Sequence, residues 1–135
     1  MRRLLALAAL LAGCQTPHVF PQPDASWQTH RGQMKYTSGE RVLIGEVLVR
    51  QRGVQDFQLD FLKGGAFPLL RLRLDATTAC AEGVLARGAW EGAPDQAPER
   101  LRGWIALRAA FASGRAPGTF TPRDSQDRFD FVFTR

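Results

Sequence analysis

Asp56 and Asp60 are the nearest approach to a catalytic carboxylate pair in this sequence. Two carboxyl groups on one surface can divide acid and base roles between them. Four residues apart in a strand, they share a face, because strand side chains alternate with period two. That face is the polar side of Asp56-Phe57-Gln58-Leu59-Asp60-Phe61. The alternation describes solvated strand charges rather than an acid/base pair. Glu46 is the other unusual acid, set in the apolar run Arg41 to Arg52. An arginine on a neighbouring strand, or an outward tilt at Gly45, accounts for it without catalysis. His18 and His30 stand beside no cysteine or acid at a recognisable spacing, and two histidines alone do not make a typical histidine metal site. The sequence has no cysteine pair with zinc spacing, no phosphate-cradling glycine loop and no Gly-x-Ser-x-Gly. No catalytic residue, metal site or cofactor is expected, and an enzyme is the least supported class.

Cys14 carries a different chemistry. Arg2 and Arg3 precede the unbroken apolar run Leu4 to Leu11, which leads into Leu11-Ala12-Gly13-Cys14. Basic, apolar, small is the order of an export signal, and the run is too short to cross a bilayer. Leu-Ala-Gly-Cys resembles the bacterial lipobox. That resemblance implies cleavage between Gly13 and Cys14 and a diacylglyceryl thioether on Cys14. The bland alternative is a plain signal peptide with an incidental cysteine. Buried acyl methylenes contribute about 0.8 kcal/mol each, so several chains together hold a protein firmly at a membrane. The expected organisation is a signal peptide at 1–13, a lipidated N-terminus and tether at 14–26, and a single antiparallel-sheet domain at 27–135. The tether segment is rich in Pro and Gln. Cys80 is then the one remaining cysteine, so no internal disulfide forms; a small buried apolar role is expected for it.

The formal charge of +5 comes from sixteen arginines and two lysines, Lys35 and Lys63, against 13 acids. Loss of Arg2 and Arg3 with the signal would lower it by two. A compositional bias toward arginine accounts for it, and attraction to acidic headgroups close to a membrane is the alternative. No basic run interleaved with aromatics indicates nucleic acid.

Positioning falls to the elements. Trp27 to His30 reads as one or two helical turns, with Ser26 as cap, or as an extended lead-in. Gln33 to Ser38 and Arg41 to Arg52 read as strands, with a bulge or bend at Gly45. Asp56 to Phe61 and Leu70 to Asp75 alternate strictly, with one packed and one wet face. Ala79 to Ala89 is a weaker strand interrupted by Gly83 and Gly88, and Phe129 to Phe133 is the last. One helix near 98–113 begins with Pro98 and Glu99 and stops at Gly114. Leu101, Trp104, Ile105 and Arg108 follow its three-and-four spacing, widened by Leu107 and Phe111. Gly103 costs it roughly 1 kcal/mol relative to Ala and permits close packing. Segments 93–97 and 115–123 read as loops. The fold class is mainly β (α+β): a curved, half-barrel-like antiparallel sheet packed with one main helix.

Phe61 to Leu74, "FLKGGAFPLLRLRL", contains an apolar turn. Gly64 and Gly65 make the turn, and Phe67 and Leu69 sit at or beside its tip, where polar residues are usual. The domain is also rich in aromatics. A filled core is the ordinary reason for that; an apolar cavity between sheet and helix, lined by Phe57, Leu59, Phe61, Leu72, Leu74 and Trp104, is the sharper one.

The lipobox cysteine, the tether, the lead-in Trp27-Gln28, the successive antiparallel strands and Leu101-Arg102-Gly103-Trp104-Ile105 together resemble the LolA/LolB family over roughly 27–107. The resemblance implies a half-barrel fold and delivery of lipoproteins into the outer membrane by a short protruding loop with an apolar tip. Phe67 is the positional match for that tip. Gln15 follows the lipidated cysteine where Asp would favour inner-membrane retention, which implies the outer membrane, with the domain facing the periplasm. The expected function is therefore an anchored lipoprotein that binds or handles a lipid, an acyl chain or a lipoprotein. The alternative is a structural or assembly lipoprotein of the envelope without a ligand. The expected partners are the membrane and a lipid or lipoprotein, with no nucleic acid; the sequence names no protein partner.

Overall fold

The structure, a computed structural model, describes residues 18–134. The sheet owes its middle to strict alternation of apolar and polar residues over 56–61 and 70–75. Its strands are β1 (Gln28–Ser38), β2 (Arg41–Arg52), β3 (Asp56–Lys63), β4 (Phe67–Leu74), β5 (Ala79–Gly83), β6 (Gly88–Gly92), β7 (Thr119–Phe120) and β8 (Asp127–Phe133), and the helix α1 spans Glu99–Phe111. All pairs are antiparallel, in the order β6-β5-β4-β3-β2-β1-β8-β7. The sheet is not closed into a barrel, and β6 and β7 are its edges.

The helix lies in the hollow of the sheet. Leu101, Trp104, Leu107 and Phe111 are all fully buried. The Trp104 ring lies 4.7 Å from Tyr36 on β1, 5.8 Å from Phe61 on β3 and 4.9 Å from Phe129 on β8. Flat strands spaced about 4.8 Å apart would put β3 and β8 too far apart for one indole to meet both, so the sheet curves around the helix. Arg108, expected within the apolar stripe, instead donates to the carbonyls of Gln55 and Asp75 at 3.0 and 2.8 Å, tying the end of the helix to two turns.

Several elements depart from the expectation. Of the two readings for 27–30, the extended one holds and the helical one does not: β1 pairs with β2 from Gln28↔Gln51 onward. Trp27 is buried beneath the Arg52 guanidinium, 5.3 Å from the ring. The expected strand Ala79 to Ala89 is a hairpin. Gly83 and Gly88, at φ 117° and 109°, flank a 3-10 turn and reverse the chain into β6. Segment 115–123 contains the short strand β7. The β1–β2 register runs unbroken across Gly45, so no bulge lies there. A Cβ on Gly45 would sit 2.9 Å from the Phe61 ring and closer still to the Leu62 carbonyl. The glycine serves close approach of β3.

Candidate functional site

The irregularity lies one strand further on. Phe61 pairs with Leu70 and Leu62 with Pro68, so Leu69 is an extra residue in β4. Two residues opposite one turn consecutive side chains to the same side. Leu69 and Leu70 are both buried, at 5% and 0% exposure. Of the four residues expected to form a probing loop, Leu69 is therefore core, held there by the bulge. Gly64 and Gly65, at φ 64° and 76°, form the turn, and Ala66 completes it. Phe67 faces Lys63 across the hairpin and is 56% exposed. It projects.

The expected cavity is filled. Phe57, Leu59, Phe61, Leu72, Leu74 and Trp104 are each at most 1% exposed and belong to one continuous core. Rings meeting edge to face and at tilted angles occupy the space between sheet and helix, including Phe57 against Phe111 at 5.7 Å. Of the six, only Trp104 borders a described cavity.

That cavity is an open cleft of about 1240 Å³ between the β1–β2 turn, the 3-10 turn after β5, the start of α1 and the segment before β8. Arg41, Arg87, Arg100, Arg102 and Arg123 line it, with Glu99, Asp124 and Asp127. None of the five guanidinium groups has a carboxylate within 4 Å among the described residues. Arg100 and Arg102 are oriented by donation from Nε to the carbonyls of Ala86 and Ala97, each at 3.1 Å. Asp127 is buried, accepts from the Tyr36 hydroxyl at 3.2 Å and packs on Gly103. Burial raises the Tyr36 phenol above its ordinary value, and the Asp127 charge adds to it. Arg87 and Asp124, the two non-glycine residues with positive φ among the described residues (56° and 55°), both lie here. Sequence reasoning missed this cleft. The only local signal was Arg100-Leu101-Arg102 at a helix start.

The other polar residues singled out in the sequence lie apart from the cleft. Asp56 pairs with Arg52 at 2.7 Å and Asp60 with Arg73 at 3.0 Å, so the two carboxylates are separately neutralised. Glu46 is exposed on the outer face, with its carboxylate over Gly65, and lines a shallow groove of about 410 Å³. Cys80 is a free, half-buried thiol whose pKa burial pushes up, with Glu91 and Glu82 adding to the rise. The described part of the expected tether lies on the domain. His18 bonds Asp75, and the Pro21 carbonyl accepts from Gln58 at 3.5 Å. Burial pushes the Asp75 carboxyl up, but hydrogen bonds from His18, Thr77 and Thr78 outweigh it and hold the group below 3.8. Among the described residues no cluster of potential metal ligands occurs, and no helix is long and apolar enough to cross a membrane. Gly13 and Cys14, the expected cleavage and lipidation positions, lie outside the described residues. The chain matches no family model and no curated protein.

Proposed function

We propose that this chain is an outer-membrane-anchored lipoprotein, LolB-like in kind, that handles a lipid or lipidated protein through its exposed hairpin tip rather than an enclosed cavity. The observation that carries the reading is Phe67, 56% exposed on a tight hairpin whose next apolar residues, Leu69 and Leu70, are buried. An aromatic ring that adds little to the core of its own fold is available to another apolar surface. The lipobox-like Cys14 supplies an anchor, and the family resemblance supplies the precedent of an apolar tip. The packed core favours a second reading, an assembly lipoprotein without a lipid ligand.

One experiment separates them. A fluorescent diacylated lipopeptide is titrated with the purified chain, with Phe67→Glu and with Phe67→Leu, following anisotropy. Binding by the parent and Phe67→Leu, lost at least about tenfold in Phe67→Glu, is expected; one desolvated aromatic contact is worth that much. No lipopeptide binding by the parent chain would move the function to the second reading. The Phe67→Glu thermal midpoint should stay within about 2 °C of the parent, as for surface substitutions generally. A larger drop would make Phe67 a core residue.

A further inference from the structure

We infer that the arginine-lined cleft at the start of α1 is a binding site for a phosphorylated small molecule or lipid headgroup. The chemistry is in the charge count at the cleft. Five arginines line it against three carboxylates, Glu99, Asp124 and the buried Asp127, which the Tyr36 hydroxyl holds, so positive charge is in excess. Among the described residues Arg52, Arg73 and Arg128 pair with acids, and Arg31, Arg50, Arg71, Arg108 and Arg115 stand unpaired elsewhere on the domain. What sets the cleft apart is that five unpaired arginines line one concave space. Like charges brought together without partners repel one another, and an anion relieves that repulsion. Guanidinium groups bind phosphate oxygens through two parallel N–H bonds, a geometry that a lysine does not reproduce. Arg100 and Arg102 are already oriented through Nε, leaving their terminal nitrogens for a ligand. The amino end of the 13-residue α1 opens on the same space, and its dipole favours negative charge there. Two left-handed non-glycine residues, Arg87 and Asp124, shape the rim. Backbone held in sparsely populated conformations concentrates at binding sites. The open cleft of about 1240 Å³ has room for a ligand larger than a bare phosphate, such as a phosphorylated sugar or a headgroup.

The inference does not depend on the lipid anchor or on Phe67. It is tested by calorimetric titration of the purified full chain with fructose 1,6-bisphosphate and with short-chain phosphatidylglycerol. Fructose and short-chain phosphatidylcholine are the uncharged and zwitterionic controls. The expected result is saturable binding of at least one anionic probe and weak or no binding of the controls. Binding of the sugar bisphosphate identifies a free phosphorylated ligand; binding of phosphatidylglycerol alone identifies a headgroup. Arg41→Gln combined with Arg123→Gln should weaken the binding roughly tenfold or more per arginine. Both side chains are exposed and make no hydrogen bond among the described residues, so circular dichroism should be unchanged; Arg87→Gln is the independent second variant. Failure of both anionic probes, equal affinity for the controls, or binding that survives both sets of variants would overturn the assignment.

Discussion

His30 is an imidazole in an aromatic setting, its ring 5.6 Å from both Phe111 and Phe133. Its Nε2 is buried without a partner, and burial holds its pKa below the ordinary 6.5. The unfolded chain therefore takes up a proton on this side chain before the folded chain does. Stability falls as pH drops from about 6.5 through the lower folded value, because protons then favour the unfolded state. His30→Phe removes this group from the titration. Its unfolding free energy at pH 7.5 should be unchanged or higher, by no more than about 1 kcal/mol, since replacing an unpaired polar atom by apolar surface costs little. Urea unfolding from pH 7.5 to 5.5 checks it: a steeper decline in the parent than in His30→Phe is expected, and parallel curves would show that His30 is hydrated. Nothing in Thr29-His30-Arg31 announces this burial, because the rings that cover the imidazole come from the far end of the chain. Phe67 and Leu69 teach the same lesson. Their types marked the turn as unusual, but which one projects depends on a bulge created by the pairing of β3 with β4.

Helix α1 was legible because its caps and spacing are local. Its fit to the sheet was not. A Cβ on Gly103 would lie 3.3 Å from the Asp127 Cβ and closer still to its carboxylate, which the Tyr36 hydroxyl holds in place. By helix propensity alone, Gly103→Ala should stabilise by about 1 kcal/mol. By packing, it forces a buried carboxylate to move, and overpacking of this kind costs about 1–3 kcal/mol. The packing cost is the larger of the two, so a net loss of up to about 2 kcal/mol is expected from denaturant unfolding, with a fall in the thermal midpoint. A more stable variant would mean that Asp127 moves freely. The strands divide in the same way. β3 and most of β4 follow from alternation, and β2 from its run of β-branched and leucine residues. The β5–β6 hairpin was hidden because Gly83 and Gly88 look like flaws in one strand until positive φ identifies them as the ends of a turn.

At the scale of the molecule, the arginine cleft was invisible because its walls come from four separate segments, whereas the sheet-and-helix class followed from patterns a few residues long. Orientation is the property that only the whole fold carries. His18 is docked on Asp75 at the turn after β4, and the β2–β3 turn with Val54, 66% exposed, lies at the same end. Phe67 and the cleft lie at the opposite end, about 20 Å away along β3 at roughly 3.3 Å per residue. Cys14 and His18 are four residues apart, so the chain between them reaches no more than about 14 Å in any conformation. A lipid on Cys14 would then hold the Val54 end at the bilayer and direct Phe67 and the arginines away from the anchoring membrane, toward an incoming partner. This is measurable with the lipidated chain in vesicles containing spin-labelled lipid and a single fluorophore at position 54 or 67. Quenching at 54 should exceed quenching at 67 severalfold, and the contrast should shrink in His18→Ala/Asp75→Ala, which frees the segment from the domain. Equal quenching in the parent would show that the docked segment does not set the orientation, and stronger quenching at 67 would make Phe67 a probe of its own membrane.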